Sequence, residues 1–203
     1  MPDMVIRVND RGDSRLISGN QMVVLTVNGD TYVIMGDLNG VFAVRQTDMM
    51  AAFTDLVATG FSDHAHDGTD ADAPSQSYEI AETGTETVGG REGTVLAVHR
   101  EGQESDIADR YVISRDPDLA PIGTALARQF SGSVEALQGI TGVGDFSAHI
   151  SDIFSRGTII RMGNLFRLES VDMSPVPPSE FALPDAILSR EDFVARMGWP
   201  DRL

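Results

Sequence analysis

The sequence contains no cysteine, which excludes disulfides, thiolate catalysis and cysteine-ligated zinc or iron–sulfur centres. Basic residues are scarce: 15 Lys and Arg stand against 31 Asp and Glu, for a formal charge of −16. A surface that is negative on average argues against general nucleic-acid binding and against docking on anionic lipid, both of which need cations. It favours solubility instead. Aromatic residues are few, with one Trp and three Tyr, and no apolar run is long enough to cross a bilayer. What is present is a 203-residue chain, 41% hydrophobic, long enough to bury a substantial core. Nine methionines serve ordinary core filling more readily than an adaptable apolar site.

The first half reads as β-structure. Met4–Val8 and Ser14–Ile17 are short extended runs. Met22–Val27 and Thr31–Met35 flank Asn28-Gly29-Asp30, and an Asn-Gly pair between β-branched runs is a strong hairpin signal. Asp37-Leu38-Asn39-Gly40 turns the chain again into Val41–Arg45, which predicts an antiparallel meander. Thr47 is placed as the N-cap of a helix carrying Met49, Met50, Phe53, Leu56 and Val57 on one face and ending at Gly60. Residues 62–77 are polar and acidic without apolar periodicity, the pattern of a surface loop.

Strands are predicted again at Tyr78–Ile80, Thr87–Val88, Thr94–His99 and Tyr111–Ile113, with Gly89, Gly90 and Gly93 in the turn between the second and third. Asp116-Pro117 opens a helical stretch to about Ile140, interrupted at Ser131-Gly132-Ser133. Thr158–Met162 and Leu165–Val171 flank the tight-turn pair Gly163-Asn164. The run Ser174-Pro175-Val176-Pro177-Pro178 reads as extended linker, because proline cannot donate to a ladder. Ser189 with Asp192 resembles a capping box for a terminal helix closed by Gly198 and Pro200. Short hairpin connections disfavour a parallel sheet.

The segment Thr83-Gly84-Thr85-Glu86-Thr87-Val88-Gly89-Gly90-Arg91-Glu92-Gly93-Thr94-Val95 carries a family resemblance. Its spacing into Asp109-Arg110-Tyr111-Val112-Ile113-Ser114-Arg115-Asp116-Pro117 adds to it, as do Leu168-Glu169-Ser170-Val171 and Phe181-Ala182-Leu183-Pro184 near the end. These stretches resemble an uncharacterised bacterial domain family related to the periplasmic lipoprotein-localisation factors. The resemblance implies an α+β, mainly antiparallel fold: a half-open, curved β-barrel with helices covering or plugging the open side. It implies an apolar interior able to take acyl chains, and neither catalysis nor a defined ligand. On this reading residues 1–185 form the half-barrel and 186–203 a helical extension packed on it. No leader precedes Met1-Pro2-Asp3, so the chain is either cytoplasmic or, as preferred, an exported protein whose cleaved leader is missing from this sequence.

Candidate chemistry is sparse. His64 and His66, with Asp63, Asp67, Asp70 and Asp72, are metal-type ligands, but a polar loop holds ligand geometry poorly and a solvated acidic loop is the favoured reading. No metal or other cofactor is therefore expected. Ser131-Gly132-Ser133 is not a nucleophile elbow. His99, and His149 between Asp145 and Asp152, have the type of a general base, yet carboxylates fall near histidines by chance in so acidic a chain. Gly139-x-x-Gly142-x-Gly144 resembles a phosphate loop without the preceding strand or the lysine. The expectation is a non-enzyme.

A half-open barrel suggests a cavity lined by Leu25, Val33, Met35, Phe42, Val44, Phe53, Leu96, Val112, Ile160 and Phe166, residues that an ordinary packed core would also use. The expected function is an exported carrier-like domain for a lipid or acyl chain. The alternative is an envelope protein–protein interaction domain with a filled core, using the outer face or rim of the sheet.

Overall fold

The computed structural model describes residues 4–19, 22–61, 78–100, 110–137 and 144–199. The fold is α+β, with two mostly antiparallel sheets and, among the described residues, four α-helices. The strands thus make two separate sheets where the sequence suggested one curved sheet, and neither is closed into a barrel. Contacts group the chain into two units, and the expected boundary at 185/186 falls inside the first of them, which takes in everything from Val176 on.

The first unit begins with the predicted meander: β1 (Met4–Val8), β2 (Ser14–Ser18), β3 (Met22–Val27), β4 (Asp30–Asp37) and β5 (Gly40–Arg45). Asn28 and Gly29 both take positive φ, 52° and 91°, which is what a two-residue hairpin turn demands of them. Helix α1 (Gln46–Phe61) follows, starting two residues earlier than a Thr47 cap implies. A 3-10 turn at Pro178–Phe181 lies against β2 and β3. The short β11 (Ile187–Leu188) then pairs parallel to β5, giving the order β1-β2-β3-β4-β5-β11. Helix α4 (Arg190–Arg196) starts at Ser189, whose hydroxyl accepts from the Asp192 N–H as the capping pattern required.

Register decides the two faces of this sheet, because side chains alternate along each strand. Leu16, Val24, Val33 and Val44 stand opposite one another in neighbouring strands, as do Met35 and Phe42. That face packs on Ala52 of α1 and on Phe193 and Val194 of α4 to form the core of the unit. Trp199 closes the cluster, its ring edge-on to Phe53 at 4.9 Å and to Phe193 at 5.5 Å.

The second unit holds the order β10-β9-β8-β7-β6, antiparallel throughout: β6 (Tyr78–Val88), β7 (Arg91–Arg100), β8 (Arg110–Ser114), β9 (Thr158–Met162) and β10 (Phe166–Arg167). Two fragments predicted within 78–88 are one 11-residue strand with a register shift at Glu82/Gly84, and the turn is Gly89-Gly90 alone, with Gly93 inside β7. Asp116 caps a 3-10 turn at Pro117–Leu119 that leads into α2 (Ala120–Leu137), which is helical through the predicted break at 131–133. Helix α3 (Gly144–Ser155) was not anticipated. The predicted strand at 165–171 forms ladder only at Phe166–Arg167. Leu168 and Val171 instead cover one face of the sheet.

Both faces of this sheet are buried. One packs Leu96, Val98, Tyr111, Ile113, Ile159 and Met162 against Ile150 and Ile153 of α3. The other packs Val88, Val95, Val112 and Ile160 against Leu119 and Ile122. Runs such as Tyr111-Val112-Ile113 and Thr158-Ile159-Ile160 lack alternation for that reason. Among the described residues no helix is long and apolar enough to cross a membrane.

Candidate binding surface

Within each unit, the residues expected to line a cavity are divided between the two faces of the sheet. Val33, Met35, Phe42 and Val44 belong to the core under α1 and α4. Phe53, 37% exposed, meets Trp199 at the edge of that core. Leu25 is on the opposite face of β3, because it stands opposite Tyr32 while Val24 stands opposite Val33. In the second unit Leu96 packs with Phe166 on one face of the sheet, and Val112 with Ile160 on the other. Seven of the ten are buried, five of them (Leu25, Phe42, Leu96, Val112 and Ile160) to 1% exposure, as in a packed core.

His64 and His66, Asp63, Asp67, Asp70 and Asp72 lie outside the described residues, as do Gly139 and Gly142. Among the described residues no group of three or more His, Asp or Glu is placed to hold a metal ion. Asp152 is engaged by Arg156, whose Nη2 donates to Oδ2 at 2.8 Å. His99 sits in β7 opposite Glu79.

Ion pairs brace both units. The Arg91 guanidinium donates to Asp116 and reaches Asp118 at 3.5 Å. The Asp118 N–H and then Arg91 hold the Asp116 carboxyl below its ordinary range, while Asp116 raises Arg91. Arg161 donates from Nη1 to both oxygens of Glu86 at 2.7 Å. In the first unit Arg196 holds the β4–β5 turn: Nε and Nη2 each donate to Asp37 at 2.8 Å, and its guanidinium carbon lies 4.3 Å from the centre of the Phe42 ring. The Arg196 hydrogen bond draws the Asp37 pKa down to about 2.

The sequence pattern did carry one surface that residue-by-residue inspection missed. On the face of the first sheet away from α1 and α4, the register sets Val5, Ile17, Val23, Ile34, Ala43 and Ile187 in one row across six strands. With a strand spacing of about 4.8 Å this row is roughly 24 Å long. Ala43 is buried and Ile17, Val23 and Ile34 are half-buried, but Val5 is 44% and Ile187 50% exposed, and Val41 on the same face is 61% exposed. The neighbouring row reads Arg7, Arg15, Leu25, Tyr32 and Arg45. Its middle is covered by the Pro178–Phe181 turn, where Arg15 Nη1 donates to the Glu180 carbonyl at 3.0 Å and Phe181 is buried. An apolar row bordered by cations therefore stays partly open beside the covered middle.

The strand alternation held that signal. Taking odd and even positions of each meander strand separately puts Val5, Ile17, Val23 and Val41 on one side and the core residues Leu16, Val24, Phe42 and Val44 on the other. Compared with known protein families, curated proteins and solved structures, the chain finds no match in any of the three.

Proposed function

We infer that the chain is a non-catalytic binding module that docks a partner protein on the open face of its six-stranded sheet. The observation that carries this reading is the row from Val5 to Ile187, where β-branched side chains stay partly in water although the opposite face of the same strands packs a full core. A contiguous exposed apolar strip is the usual mark of an interaction site, whereas single exposed apolar residues are ordinary.

The carrier reading for a lipid or acyl chain stands as the second reading: seven of its nominated lining residues are buried, and within each unit they divide between the two faces of the sheet. The resemblance to the lipoprotein-localisation factors still carries the exported location and the half-open barrel within this proposal. Helices α1 and α4 over one face of the first sheet are in keeping with that geometry.

An apolar dye such as anilinonaphthalene sulfonate tests the reading. Ile34→Asp and Val41→Asp should lower dye binding while leaving the circular dichroism unchanged. Unchanged dye binding in both variants, or unfolding of Val41→Asp, sinks the open-face assignment. Organic extraction of the purified chain followed by mass spectrometry separates the lipid reading: a stoichiometric lipid would return the carrier function to first place.

A further inference from the structure

We propose that the partner presents an acidic amphipathic helix to this face, a refinement that rests on the open-face reading above. Three features of the surface select that occupant.

The first is backbone chemistry. A strand laid on a sheet face, rather than along an edge, leaves its N–H and C=O groups without partners, and buried unpaired backbone groups are costly. A helix satisfies its own backbone and needs only an apolar stripe. At 1.5 Å per residue, about 16 residues of helix span a row roughly 24 Å long.

The second is charge. Arg7 and Arg15 stand directly opposite each other on β1 and β2, an unfavourable like-charge pair, and share the one carboxylate of Glu180 at 3.7 and 4.0 Å. Arg15 Nε is buried and makes no hydrogen bond among the described residues. Arg45, at the far end of the same row, lies 3.4 Å from Asp30. In a chain of −16 net charge, two arginines against the one Glu180 carboxylate leave a surplus cation at the β1–β2 end of this border, whereas Arg45 has both Asp30 and Asp48 near it. Carboxylates along one side of a bound helix would meet it.

The third is size. Of the apolar side chains named on this face only Val5, Val41 and Ile187 are largely exposed, and the largest apolar patch of an ordinary monomer is about 300–600 Å². A stable dimer needs about 800 Å² from each copy. The surface fits one helix better than a second copy of the chain.

Two labelled synthetic peptides of about four turns decide the matter, with the same leucine stripe and either glutamate or lysine along one border. Anisotropy titrations use the full chain at physiological salt, where screening confines charge effects to about 8 Å. The glutamate peptide should bind about tenfold more tightly than the lysine peptide, against the net charge of the protein. Arg7→Glu should abolish that preference, and Ile34→Asp should weaken both peptides. Equal binding of the two, or preference for lysine, overturns the acidic helix while leaving the open face intact if Ile34→Asp still weakens both. Binding of neither peptide overturns the proposal, and the dye experiment then decides the face itself. A concentration-dependent dimer lost in Ile34→Asp would assign the face to a second copy and also overturn it.

Discussion

Arg196 reaches across 159 residues of sequence to grip both carboxylate oxygens of Asp37 at 2.8 Å. The pair ties α4 to the β4–β5 turn, and a third contact to the Gly40 carbonyl at 3.3 Å completes the clamp. Because the fold lowers the Asp37 pKa from 3.8 to about 2, the clamp contributes fully above pH 3.8 and is lost as pH falls through 2. The chain has a single tryptophan, and Trp199 packs on α4 beside Phe193, so its fluorescence reports α4 docking. Asp37→Asn should remove the part of the acid transition that falls between pH 4 and 2, measured as the difference from the unsubstituted chain. Coincident acid curves would show that the pair is not what holds α4.

Phe193 is fully buried between the sheet and Trp199. Phe193→Ala should destabilise the first unit by about 3–5 kcal/mol, the usual loss for a buried phenylalanine. Leu96→Ala in the second unit should lose about 2–5 kcal/mol by the same mechanism. Denaturant unfolding measures both. A Leu96→Ala chain of unchanged stability would reopen the possibility that this side chain lines a space rather than fills one.

Gly89 and Gly90 share a positive-φ turn but differ in surroundings. A Cβ on Gly89 would meet the Leu168 carbonyl oxygen at 2.8 Å, whereas one on Gly90 meets nothing within 4 Å. Gly90→Ala should cost about 1–2 kcal/mol for the left-handed conformation alone. Gly89→Ala adds a backbone clash and should cost clearly more. Equal losses in thermal unfolding would mean that residues 168–169 move aside freely.

Gly123 offers a sharper contrast. In an exposed helix Gly→Ala stabilises by about 1 kcal/mol. Here the added Cβ would press on the side chain and backbone of Thr158, whose hydroxyl donates to the buried Leu119 carbonyl at 2.9 Å. Gly123→Ala should therefore lower the melting temperature, and Thr158→Val, which removes the donor to that carbonyl, should cost about 1–3 kcal/mol of stability.

Much of the first unit was legible because its signals are local. Asn28-Gly29, Asp37–Gly40 and Ser189 with Asp192 act through residues two or three positions apart, and each made the turn or cap it announced. The partition into two sheets was not legible, since strand order depends on pairings such as Ile113 with Ile159 that no neighbouring residue encodes. Helix α3 was missed because its glycine-rich approach hid the spacing of Ile150 and Ile153. The two-residue β11 is too short for any periodicity and is held by pairing to β5, with the Ala43 N–H donating to the Ala186 carbonyl at 2.8 Å, and by Leu188 packing on the core. How the proposed lining residues divide between sheet faces was not legible for a related reason. Hydrophobicity marks what is buried, and only pairing tells which face it is buried on.

The parallel strand β11 also sets an order of assembly. Every pairing of the five-stranded sheet lies between Tyr78 and Arg167, a span complete before β11 and α4 leave the ribosome. The six-stranded sheet joins residues 43 and 187 across that whole span, and until then the apolar side of its meander has α1 but lacks Phe193, Val194 and Trp199. Pairings so distant in sequence close slowly. The newborn chain therefore carries a finished sheet downstream of an open one, and a holdase would meet the meander rather than the later strands.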